Sequence, residues 1–152
     1  MEYSTREKNI WIELILNLFV SLYYFTAIYQ LNGWEEITGD EIGYVIRNVI
    51  VFAIIGTILL HTIFVKNYNE QPKDERDIAI EAKGNATGYY TLVILCTLLI
   101  AHIMLNEGVG FLFSERTVPF TGPFAMHLIL IAIMIASFSK SIVQITCYRR
   151  GS

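Results

Sequence analysis

Six side chains in this sequence could do chemistry where most of their neighbours cannot: Glu13, His61, His102, Glu107, His127 and Lys140. Each lies within or just beyond a long apolar run, where an ionisable group has a proton affinity open to tuning by burial and by neighbouring charge. A carboxylate, an imidazole and an ammonium brought together out of water can hold a proton or a small cation. The same three groups can also form a structural ion pair, with Lys140 extending its stem towards the headgroups. His102, His127 and Glu107 are the only candidates for a metal site. Zinc needs ligands of suitable type converging at tetrahedral angles, so no metal is expected, and two histidines bonding across helices is the expected arrangement. No HExxH, GxSxG, phosphate-cradling glycine loop or paired-cysteine motif is present, so neither an enzyme nor a cofactor is expected.

Spacing sharpens the first group. Glu13, Asn17, Ser21 and Tyr24 recur at i, i+4, i+8 and i+11, which places them within about 80° on one helix face. A polar face along an apolar helix points at protein or at a water-filled cavity, because lipid offers it no partner. His61 and Lys140 fall at a depth similar to Glu13 when counted from the ends of their own runs. The expected intramembrane polar network is therefore Glu13 and Asn17 with at least one of His61 and Lys140. A second stripe joins His127, Met134, Ser137, Ser141 and Gln144. Gly84 and Gly88 form a small-xxx-small pair that lets a second helix approach closely, and they are expected at a helix contact.

The elements that must position these residues follow from hydropathy. Of the 152 residues, 54% are apolar and 16% charged, against about 25% charged in ordinary globular chains. The charges are confined to gaps between long apolar runs. A transmembrane helix needs about 20 apolar residues, and four segments qualify: 10–30, 44–65, 86–105 and 123–147. None has an internal Pro that would break it. The expected fold is thus all-α, a single domain over 1–152 forming a four-transmembrane-helix bundle.

Basic residues orient it. Arg6, Lys8, Lys66, Lys73, Arg76, Lys83, Lys140, Arg149 and Arg150 fall on one side, and Arg47 and Arg116 on the other. The positive-inside rule then puts both termini and the 66–85 loop in the cytoplasm. The net charge of −3, with no large basic patch, excludes a nucleic-acid partner. Cys96 and Cys147 lie at different depths, so no disulfide is expected.

The stretch 72–86 has no helix breaker between Pro72 and Gly84 and suits a short cytoplasmic amphipathic helix leading into the third span. Asp74, Asp77 and Glu81 form an acidic stripe beside Lys73, Arg76 and Lys83. It reads as a solvated linker or as a docking surface carried by Asp74, Arg76, Asp77 and Glu81, for the basic termini or a cytoplasmic partner. Here the chain resembles small bacterial and archaeal multi-pass membrane proteins of uncharacterised function. The likeness rests on the DERD-type run Asp74-Glu75-Arg76-Asp77 with Ile80, Ala82, Lys83 and Tyr89-Tyr90. It implies a prokaryotic inner membrane and no particular activity. The functional expectation is a non-enzymatic, oligomeric protein with a regulatory, scaffolding or accessory role, and the alternative is a cation or solute carrier acting as a dimer or larger assembly.

Overall fold

The computed structural model describes residues 5–31, 39–60, 62–63, 74–113 and 122–150. They form four helices: α1 (Thr5–Tyr29), α2 (Glu41–Leu60), α3 (Glu75–Phe113) and α4 (Gly122–Arg150). Each is long and apolar enough to cross a membrane. We call the end that carries the start of α1, the start of α3 and the end of α4 basal, and the opposite end distal.

The chain resolves its polar backbone within each helix, as hydrocarbon requires. Several side-chain hydroxyls do the same. Thr57, Thr87, Thr97, Ser139 and Thr146 each donate to a carbonyl four residues back, at 2.7–2.9 Å. A hydroxyl bonded in this way can face lipid without seeking a partner elsewhere. Thr57 and Thr97 accordingly sit on exposed faces among Ile54, Ile58, Ile94 and Leu98.

The expected cytoplasmic helix and third span are one continuous element. α3 runs 39 residues without interruption, or about 58 Å at 1.5 Å per residue. That is nearly twice the hydrocarbon thickness of about 30 Å. The acidic–basic run forms its first turns rather than a separate helix, and the distal end extends to Phe113. Residues 114–121 lie outside the described residues, as does His61.

The four helices do not share one core equally. The buried cluster joins Val20 and Tyr24 of α1 to Ile42, Ile46 and Val49 of α2, with Leu130, Ile131 and Met134 of α4 packed against it. α4 is the hub: it packs on α1, on α2 and most extensively on α3. α3 stands apart from the cluster and leans on α4 through Gly84 and Gly88. Helices in lipid gain little from apolar burial as such, because lipid tails are equally apolar, and they associate through close packing and a few polar contacts. Both are visible at this seam.

Candidate functional site

The α3–α4 seam is close because two residues lack side chains. A methyl group at Gly84 would stand 2.3 Å from Gln144 Cγ and 2.7 Å from its Cδ. One at Gly88 would meet Lys140 Cβ at 3.2 Å and the Ala136 carbonyl oxygen at 3.3 Å. Gln144 therefore lies over the bare backbone of Gly84, and Lys140 crosses that of Gly88. A third close approach, absent from the sequence-based expectations, places Leu16 Cδ1 2.9 Å from where a methyl at Gly56 would lie.

Lys140 is consequently held at its base against α3 while its ammonium reaches α1. Its Nζ lies 3.6 Å from Glu13 Oε2. The pair is open on one side: the Glu13 side chain is 59% exposed and that of Lys140 35%. Asn17, one turn further along α1, is half-buried, and its side chain makes no hydrogen bond among the described residues. Two of the four expected network members are thus brought together, and His61 lies outside the described residues.

A second polar pair sits towards the distal end. The Tyr24 side chain is fully buried and its hydroxyl meets His127 Nδ1. The His127 ring stacks on Phe124, with centroids 6.0 Å apart and planes inclined by 22°. His102, the partner expected from sequence for His127, is exposed on α3. The signal for the Tyr24–His127 contact was present in the polar stripes of α1 and α4, which reach the same depth in opposite chain directions. Among the described residues no group of three or more His, Cys, Asp and Glu side chains could hold a metal ion.

The most extensive polar cluster closes the basal end. Asp77 of α3 receives Arg6 of α1 at 3.0 Å on Oδ2, and Tyr148 of α4 donates its hydroxyl to Oδ1 at 2.6 Å. Arg76 donates to the Tyr148 carbonyl at 3.1 Å, with its guanidinium 5.9 Å from the centre of the Tyr148 ring. There it neutralises part of the negative end of the α4 dipole. Arg149 pairs with Glu7 at 3.6 Å and lies 5.7 Å from the centre of the Trp11 ring. Of the four docking candidates, Arg76 and Asp77 face other helices in this way. Asp74 and Glu81 are exposed, and the Asp74 carbonyl accepts the Ile78 amide at 3.1 Å. Tyr148 was not legible as a site residue, because nothing in the sequence places a C-terminal tyrosine beside residue 77.

Four buried polar atoms have no hydrogen-bond partner among the described residues: Trp11 Nε1, Ser21 Oγ, Ser141 Oγ and Gln144 Oε1. Helix for helix, the described residues define an α-helical protein suited to crossing a membrane four times. No protein-family model, curated protein or solved structure matches the chain.

Proposed function

We propose that this chain is a non-enzymatic multi-pass protein of a prokaryotic cytoplasmic membrane, with both termini inside, which works by association in a regulatory, scaffolding or accessory role. The observation that supports this reading is the packed apolar cluster between the two polar pairs, with Asn17 and the buried Ser21 as the polar groups of α1 along that length. Between Glu13–Lys140 and Tyr24–His127, the inner faces of α1 and α4 carry Leu16, Val20, Ile131 and Met134 packed with α2 side chains, and the buried Ala132 and Ala136. A transport path through one chain needs a continuous polar or water-filled route along that length, and Asn17 and Ser21 are flanked there by packed apolar side chains. Small-residue faces and the long, one-sided α3 are features of helices that associate.

The open side of the Glu13–Lys140 pair favours the second reading, a small-cation or solute channel or transporter acting as a dimer or larger oligomer. Purified protein in lipid nanodiscs decides the first reading by mass: it expects assemblies larger than one chain, and a uniformly monomeric population overturns self-association. Flux of protons or monovalent cations through reconstituted vesicles decides the second. Flux that is lost on Glu13→Gln would replace association with transport as the primary role.

A further inference from the structure

The Glu13–Lys140 pair has an uncovered side that the protein's own helices do not close. Glu13 lies seven residues beyond Arg6 on the same face of α1, about 10 Å deeper at 1.5 Å per residue. Arg6 at that azimuth is buried against α3, at 9% exposure, whereas the Glu13 side chain is 59% exposed. The reason is topological. α3 is tied to α1 by Asp77 at the basal end, while above that tie it follows α4 and leaves a lateral groove between itself and α1. Lys140 crosses the floor of this groove, from Gly88 on α3 to Glu13 on α1.

The charges in the groove are incompletely used. Their separation of 3.6 Å is longer than the 2.7–2.9 Å typical of a charge-assisted N–H···O bond. The carboxylate keeps acceptor sites and the ammonium keeps donors. Ionisable groups within membrane spans pair with one another or face an interior. The complement of an acid beside a base at one depth is a base beside an acid at that depth. A two-fold axis along the membrane normal supplies this, because it preserves depth and orientation and makes any contact self-complementary.

We infer that the α1–α3 groove is an interface for a second copy of this chain, in which Glu13 and Lys140 of each copy meet Lys140 and Glu13 of the other in a four-charge ring. This rests on the association reading above and names its surface and partner. Exposed apolar side chains of α3 beyond Gly88, Ile94 and Leu98 among them, are available to pack beside the ring.

Charge reversal tests the ring, because it separates contacts within a chain from contacts between chains. Glu13→Lys and Lys140→Glu chains, each expressed alone with two different tags, are expected to lose co-purification of the tags by about tenfold or more. Co-expression of the Glu13→Lys chain with the Lys140→Glu chain restores it, since opposite charges then face each other only across the interface. Failure of the mixed pair to recover overturns the ring. A second measurement tolerates poor folding of the reversed variants. With Cys96 and Cys147 replaced by Ser, Asn9→Cys, one turn from Glu13 on the same side of α1 and outside the ring, is expected to cross-link as a dimer through a short bismaleimide in membranes. Leu59→Cys on α2 is the control and is expected not to. Cross-linking at 59 but not at 9 overturns this interface while leaving association intact. A monomer by cross-linking at both positions and by mass in nanodiscs overturns both. Dimerisation unaffected by either reversal, with binding of phosphatidylethanolamine lost instead, would assign the groove to a lipid headgroup and overturn the proposal.

Discussion

Gly84 and Gly88 show how much a single residue can decide in lipid. Apolar area is worth little between membrane helices, so the distance of closest approach carries the energy. Gly84→Ala forces Gln144 off its seat, since its new methyl would lie 2.3 Å from Gln144 Cγ. Overpacking of this kind costs about 1–3 kcal/mol, and denaturant titration in mixed micelles should show the loss. Gly108→Ala, where nothing lies within 4 Å, should be neutral or gain up to about 1 kcal/mol from helix propensity. The Tyr24–His127 contact offers a second residue-level test. Tyr24→Phe keeps the ring but leaves His127 Nδ1 without its partner. Interhelical hydrogen bonds in membranes average about 0.6 kcal/mol with a maximum near 1.7, so a double-mutant cycle of Tyr24→Phe with His127→Phe should give a coupling in that range. A coupling of zero would show that the pair is held by packing alone.

At the scale of the element, α3 is the helix whose placement depends most on polar contacts. Its seam with α4 is close but narrow, and its basal end is tied to α1 and α4 together through Asp77. Asp77→Ala removes the acceptor shared by Arg6 and Tyr148, and hydrogen bonds to a charged group are worth about 1.5–3 kcal/mol. Cys147, buried at 6% exposure next to Tyr148, is a native reporter of that tie. Its modification by a small maleimide should accelerate about tenfold in Asp77→Ala, the equivalent of about 1.4 kcal/mol of easier local opening. An unchanged rate would mean that the tie does not govern the basal packing. The continuity of α3 follows from the same region. The sequence lacks a breaker between Pro72 and the third span apart from Gly84 and Gly88, and two glycines within a helix cost about 1 kcal/mol each. That cost is offset where they let α4 approach.

For the whole molecule, the charge distribution is the basis of the proposed orientation. The sequence-based topology puts nine of the eleven Lys and Arg residues on one side of the spans, and the proposed orientation makes that side cytoplasmic by the positive-inside rule. Cysteine introduced at Glu36 or Glu115 should react with an impermeant reagent in intact cells, and cysteine at Lys73 only after the membrane is opened. The reverse pattern would invert the topology. Three of these basic residues meet other helices at the basal end. Arg6, Arg76 and Arg149 belong to the same basic set, and each pairs with a side chain or backbone group of another helix.

The existence of four membrane-length helices was readable from the sequence, because hydrocarbon admits few other backbones and hydropathy reports each apolar run directly, whereas α3 passes its expected limits of 86–105 at both ends. The small-residue pair on α3 and the polar faces of α1 and α4 were readable for a similar reason, since helical phase is a local property. Which faces meet is not local. Sequence set His127 beside His102, whereas the fold sets it against Tyr24, because α4 packs between α1 and α3 and only one side of it can reach each neighbour. The joining of Arg6, Asp77 and Tyr148 required three chain segments to arrive at one end together. The open groove beside Glu13 was likewise decided by tertiary structure alone: its exposure comes from α3 following α4 instead of α1, a choice made by the approach of Gln144 and Lys140 over two bare glycines.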